Sequence, residues 1–166
     1  MTVAKLIRIL LVDDHVMVRQ GVRDLLGSYP NIEVVGEAGD GEEGFQQAAK
    51  LQPTVIVMDI TMPKMDGVAS TRLIKTHYPH MAVVGLSVLT HSYHRDAMVK
   101  AGASEVIGKE QAVDELYGAI QKAATSLQPI IIVDDAPDSL KPSQTKEGAV
   151  ERPPSPSVLE LRDPES

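Results

Sequence analysis

Five times in succession, across residues 1–128, the chain sets a short, almost wholly apolar run ahead of a longer segment of helical period. That alternation constrains the fold more than any other feature. The runs at residues 6–12, 55–58 and 82–86 carry apolar side chains at odd and even positions alike. A strand with one wet face would alternate, so these runs are expected to be covered on both sides. The segments between them supply the cover. From Val16 to Leu26, the residues Val18, Val22, Leu25 and Leu26 share one helical face, with Arg19, Gln20, Arg23 and Asp24 opposite. Five strand–helix units in a row predict an α/β fold in which a parallel sheet carries helices on both faces.

Local signals place the other elements. Residues 33–38 read as the second strand. Asp40 then stands as an N-cap with Glu43 three residues on, opening a helix that must stop near Gln52 because Pro53 follows. The third helix, residues 68–78, is stopped by Pro79, and Asp66 reads as its turn former and N-cap. A fourth helix runs from His91 to Ala101 and ends at Gly102; a short fifth strand covers residues 105–107. In the last helix Val113, Leu116, Ile120, Ala123 and Leu127 form one stripe. With 43% hydrophobic residues but only 3% aromatics, the core must be aliphatic.

The composition changes near Gln128. Seven of the eleven prolines lie from Pro129 onward, in a stretch with 4 basic and 8 acidic residues. Such a stretch buries too little apolar surface to offset its ordering entropy, so residues 129–166 are expected to form an acidic, proline- and serine-rich tail, disordered from Ala136 on. Pro129-Ile-Ile-Ile-Val133 is the part of it that can pack. The reading is a linker or a partner-docking segment. A net charge of −7 argues against non-specific binding to nucleic acid, and the tail holds neither a basic recognition segment nor a second amphipathic helix. No apolar run is long enough to span a membrane. The absence of cysteine fits a reducing cytoplasm.

Ligands of open parallel sheets sit beyond the carboxyl ends of the strands. Asp13 and Asp14 close strand 1, Asp59 closes strand 3, Ser87 follows strand 4 and Lys109 follows strand 5. If these strands are neighbours, three carboxylates, a hydroxyl and an ammonium meet on one rim. Three carboxylates that close repel one another, and a hard divalent cation relieves the repulsion. Magnesium takes oxygen ligands and leaves positions for phosphate oxygens; Lys109 is the complementary point charge and Ser87 a hydrogen-bond donor. Asp59 has the chemistry of a carboxylate nucleophile. The loop after it, Asp59-Ile-Thr-Met-Pro-Lys-Met-Asp-Gly67, is stiffened by Pro63 and turns at Gly67, and the Thr61 carbonyl is placed to serve as a ligand. His15 reads as a first-turn residue near the site. His91 and His94, with Tyr93 between them, read as a solvated helix start rather than a zinc site.

These motifs resemble the receiver domain of bacterial two-component response regulators. Val12-Asp-Asp-His-Val-Met-Val-Arg19 is similar to the first strand and helix start of the subfamily that often carries a LuxR-type DNA-binding domain. Val57-Met-Asp-Ile-Thr-Met-Pro-Lys-Met-Asp-Gly67 resembles the phosphoacceptor loop, and Ala101-Gly-Ala-Ser104 leads to the lysine at Lys109. The resemblance spans about residues 6–127. It implies a flavodoxin-like five-stranded sheet in the order 2-1-3-4-5. It also implies a phosphoryl group taken by Asp59 from the phosphohistidine of a sensor histidine kinase or phosphotransfer protein. The chain would catalyse that step, and a slow dephosphorylation, on itself. Asp14, Asp59 and the Thr61 carbonyl would contact magnesium directly and Asp13 through water, with Ser87 and Lys109 on the phosphoryl group.

Two features depart from the family pattern. The strand-5 position that usually carries Tyr or Phe is Val106, so the ring that reports phosphorylation in the family is missing. The residues after Gln128 do not read as a DNA-binding domain. Two further classes stay open: a receiver-like module that binds partners without phosphorylation, and the receiver part of a truncated regulator or hybrid kinase. A metal-dependent phosphatase with a strand-end Asp nucleophile is disfavoured, since such enzymes want a second Asp where Thr61 stands.

Overall fold

A computed structural model describes residues 4–88 and 92–126. The reading of residues 129–166, with the packing segment at 129–133, lies outside the described residues, as do His91 and Leu127.

The elements follow the expected alternation: β1 (Ile7–Val12), α1 (Val16–Leu26), β2 (Ile32–Ala38), α2 (Gly41–Leu51), β3 (Val55–Asp59), α3 (Gly67–His77), β4 (Ala82–Ser87), α4 (Ser92–Ala101), β5 (Glu105–Gly108) and α5 (Ala112–Ser126). A single turn of 3₁₀ helix, Lys109–Gln111, joins β5 to α5. The sheet is parallel, in the order β2-β1-β3-β4-β5.

The two faces of the sheet bury alternate residues. On one face Ile7, Ile9, Leu11, Val55, Val57, Val84 and Ile107 pack with Val22 and Leu26 of α1 and with Leu116, Ile120 and Ala123 of α5. On the other, Leu10, Val12, Ile56, Met58, Val83 and Val106 pack with Ala48 of α2, Ile74 of α3 and Met98 of α4. Each central strand is therefore apolar throughout because it supplies both cores.

Helix ends follow local chemistry. Asp40 accepts from the Glu43 N–H at 2.9 Å, and the Glu43 carboxylate reaches back to the Gly39 N–H at 2.7 Å, a reciprocal cap. Asp66 accepts from the Ala69 N–H at 2.8 Å, so the reading of Asp66 as an N-cap holds. α2 ends as Gln52 turns into the left-handed region at φ 51° ahead of Pro53.

One stripe is corrected. In α5 the buried residues are Ala112, Leu116, Ala119, Ile120 and Ala123, whereas Val113 is 68% exposed. The 3₁₀ turn feeding the helix sets its rotation so that Ala112, one residue earlier, faces the sheet. Leu116→Ala is expected to lower the unfolding free energy by about 2–5 kcal/mol. Val113→Ala should change it by less than about 0.5 kcal/mol. Urea denaturation of the two variants tests this register.

Candidate phosphoryl and metal site

The register of the sheet assembles the site. Val12 pairs with Met58, which sets Asp13 beside Asp59; Asp59 pairs with Leu86; Ser87 pairs with Gly108, the residue before Lys109. The five positions singled out in the sequence thus share one rim. Asp13 and Asp59 are 4% and 3% exposed, and Ser87 is also buried. Ser87 is the last residue of β4 rather than the one after it. A cavity of about 460 Å³ opens above Asp59, lined by Asp14, His15, Thr61, Met62, Pro63, Val88 and Lys109.

Charges are packed tightly here. The Lys109 ammonium lies 2.6 Å from Asp13 Oδ2 and 3.3 Å from Asp59 Oδ1. One lysine thus bridges both buried carboxylates. Burial pushes the Asp59 carboxyl up to about 6, the Asp13 charge adds to the rise, and Lys109 and the Thr61 N–H only partly offset it. Burial works against the charge of Lys109, but its hydrogen bond to Asp13 and the charges of Asp59 and Asp13 prevail and raise its pKa.

The loop after Asp59 is stiff for a different reason from the one the sequence suggested. Gly67 does not sit at positive φ; among the described residues of that loop it is Lys64 that does, at φ 64°. Gly67 is needed because a Cβ would lie 2.0 Å from the Asp59 carbonyl oxygen. Gly67 N–H also donates to the Ile60 carbonyl at 2.8 Å, closing the loop on β3. The loop's far side is held by Gly41, whose N–H donates to the Met65 carbonyl at 3.0 Å and whose Cβ would lie 2.4 Å from that oxygen. Sequence reading had no signal for that contact across 24 residues.

It also missed the support behind Asp13. Arg19 donates to the Asp13 carbonyl and, at 2.8 Å, to Glu37, which Arg23 also contacts. Glu37 loses hydration by burial, but the two arginines outweigh that and hold its carboxyl below the usual range. His15 occupies the N-cap position of α1, one residue before the first turn, with its Nδ1 on the two acidic side chains. Val106 is buried against Gly85 and Met98 on the sheet face that carries α4, with its carbonyl held by the Arg95 guanidinium at 2.7 Å. Among the described residues His94 joins no cluster of metal-ligating side chains.

Comparison with known proteins decides the family. The response regulator receiver domain family matches residues 9–121. The chain belongs to this family. The receiver is 38% identical over 118 residues to the transcriptional regulatory protein DegU of Brevibacillus brevis, covering 71% of this chain and 50% of DegU. It is 40% identical over 124 residues to a protein-glutamate methylesterase/protein-glutamine glutaminase of Alkalilimnicola ehrlichii, covering 74% of this chain and 31% of that protein. A LuxR-family two-component response regulator from Aurantimonas superposes with a TM-score of 0.70 at 32% identity, covering 74% of this receiver and 87% of that chain. The receiver spans about half the length, or less, of the curated relatives it matches. No described helix is long and apolar enough to cross a membrane.

The acidic cluster suits a divalent cation. Ligand atoms of Asp13, Asp14, His15 and Asp59 all lie within 4.8 Å of one another, and Asp14 Oδ1 is shielded from solvent with the His15 ring nitrogen 3.1 Å away.

The raised pKa of Asp59 has a sign that can be measured. Its folded value of about 6 lies above the ordinary carboxylate value, so the folded state holds this proton more tightly than the unfolded chain. The Asp59 contribution to metal-free stability therefore falls as pH rises from about 4 to about 6, by on the order of 3 kcal/mol, and stays lower above that range. Asp59→Asn removes this cost. In urea denaturation with chelator the variant is expected to be the more stable protein at pH 8, with the difference shrinking towards zero as pH falls below about 4.

Proposed function

We propose that this receiver accepts a phosphoryl group on Asp59, from the phosphohistidine of a sensor histidine kinase or phosphotransfer protein, and that the phosphoryl group alters a protein-binding surface. The observation that carries the reading is the position of Asp59: buried at a strand end, open to a 460 Å³ cavity, and bridged by Lys109 to a second buried carboxylate.

A carboxylate oxygen of Asp59 attacks phosphorus. The O–P bond forms as the N–P bond of the donor breaks, and the electron pair leaves on the imidazole, which takes up a proton. Lys109 already sits within ion-pair distance of Asp59, so its charge meets the incoming phosphoryl oxygens without reorganisation. Ser87, at the adjacent strand end, donates to the same group. The rigid loop 59–67 keeps the nucleophile from swinging away. Magnesium would be held directly by Asp14, Asp59 and the Thr61 carbonyl, and through water by Asp13. The ion supplies charge neutralisation for crowded carboxylate and phosphoryl oxygens. The crowding of these acidic ligand atoms within 4.8 Å supports that assignment.

Val106 cannot act as a swinging ring, so the output runs through α4. Met98 and the Arg95–Val106 hydrogen bond tie that helix to β4 and β5. A shift of Ser87 towards the phosphoryl group pulls on the loop that follows it. The shift is bounded by the free-energy difference between two states, a few kcal/mol. A similar receiver occurs in proteins named for transcriptional regulation and for methylesterase activity, so the family match leaves the output partner open. A chain without cysteine fits a cytoplasmic setting.

Incubation with labelled acetyl phosphate and magnesium tests the reading. Wild type is expected to label on an acid-stable, base-labile acyl phosphate, and Asp59→Asn to lose the label; undiminished labelling of that variant refutes the assignment. Calorimetry with magnesium is expected to show Asp14→Ala as the variant with the weakest binding. Lys109→Ala should keep magnesium but uncouple Asp59 from α4, read as loss of amide shift changes in Ser92–Ala101 on phosphorylation.

A further inference from the structure

Asp13 and Asp59 do not hold Lys109 from equally fixed places. Asp59 belongs to β3 and pairs with Leu86 of β4, and the loop after it closes through the Gly67 N–H on Ile60. Asp13 stands one residue beyond Val12, the last residue of β1 to pair with β2 and β3. Its N–H donates to the Ala38 carbonyl at 3.1 Å, but its own carbonyl lies past the ladder. Asp13 Oδ1 accepts the His15 N–H at 2.8 Å, which leaves Oδ2 for Lys109. Lys109 opens the 3₁₀ turn after β5, and its ammonium sits on a flexible stem, so its acceptors decide where it stands. The nearer acceptor is Asp13, at 2.6 Å against 3.3 Å for Asp59. The place of Asp13 therefore sets how Lys109 faces Asp59.

Arg19 takes hold of the carbonyl that the sheet leaves over. It lies on the second turn of α1, and its Nη1 reaches back to the Asp13 carbonyl oxygen. Its Nε donates to Glu37 Oε1 at 2.8 Å. Glu37 belongs to β2, in register with Leu11, and its second oxygen accepts from Arg23 Nε at 2.8 Å. The Arg19 side chain is only 16% exposed. A guanidinium carries its donors in one rigid plane, so Arg19 can serve a backbone carbonyl and a carboxylate together; the single ammonium of a lysine has no such fork. The chain of contacts runs from β2 through Glu37 and Arg19 to Asp13, and from Asp13 through Lys109 to Asp59.

We propose that Arg19, anchored by Glu37, is a positioning residue for phosphoryl transfer: it fixes Asp13 by its carbonyl and so holds the Lys109 ammonium where the phosphoryl oxygens on Asp59 will develop charge. Arg19 itself touches no reacting atom. The inference rests on the reading of Asp59 as phosphoacceptor and adds the residues that set its lysine. Without Arg19, Asp13 and the ammonium it carries drift from the geometry of the transfer, and the loss falls on the chemical step rather than on donor binding.

The test uses the full chain. Labelling by acetyl phosphate with magnesium is followed against donor concentration, and the Lys109 side-chain ammonium is followed by nitrogen-15 NMR with chelator. Arg19→Gln is expected to label about ten-fold or more slowly at saturating donor, with the donor KM within about two-fold of wild type, and to shift or broaden the Lys109 resonance. Glu37→Gln keeps the arginine but loosens its anchor; the same pattern is expected at about three-fold, and the double variant should be no slower than Arg19→Gln alone. If Arg19→Gln does not fold, Glu37→Gln and Arg19→Lys carry the test: a slower saturated rate with a moved Lys109 resonance supports the inference, and wild-type values for both overturn it. A raised KM with an unchanged saturated rate also overturns it, as does a slowed rate with an unmoved Lys109 resonance, or losses that multiply in the double variant. If wild type takes no label, the reading of Asp59 fails, and the role of Arg19 in transfer fails with it; if wild type labels and Arg19→Gln matches it, only Arg19 falls.

Discussion

Two carboxylates held out of water beside one ammonium set the terms for this molecule. Asp13 and Asp59 stand side by side because β1 and β3 are neighbours in register, and both are almost fully buried. Left alone they would protonate or part. Lys109 bridges them, 2.6 Å from one and 3.3 Å from the other, yet Asp59 still titrates at about 6. The site therefore keeps carboxylate repulsion that a further cation would relieve. Charge stored in this way makes the strand ends responsive.

Such a cluster survives only in a frame that does not yield. Both faces of the sheet are packed, so the strands cannot slide apart to separate the charges. Gly67 lets the loop close against the Asp59 carbonyl, and Gly41 clamps the loop's far side through Met65. Arg19 joins the Asp13 carbonyl to Glu37 of β2. These contacts do no chemistry. They prevent relaxation, which would otherwise discharge the strain by moving Asp59 or Asp13 into water.

Val106 shows where local identity and family pattern diverge. The residue fills a place in the core between Gly85 and Met98, and in doing so it fastens α4 to the sheet. Its carbonyl, on an edge strand, is covered by Arg95 from the same helix. α4 is thereby tied to β5 by a buried side-chain cluster and by a hydrogen bond.

Element order, the two-sided burial of the strands and the residues of the rim were all legible in the chain, because hydrophobic period and strand-end position are local properties. The caps at Asp40 and Asp66 were legible for the same reason. The rotation of α5 was not: it depends on a 3₁₀ turn that shifts the buried stripe from Val113 to Ala112. The clamp from Gly41 to Met65, the Arg19–Glu37 support and the approach of His15 to Asp14 were not legible either. Each joins residues through the packing of separate elements or the aim of one side chain, and neither leaves a period in the sequence. Sequence alone determined which groups stand at the strand ends. Tertiary structure decided how close they come, and with charges in a water-poor site a difference of an ångström sets both the pKa of Asp59 and the company it keeps.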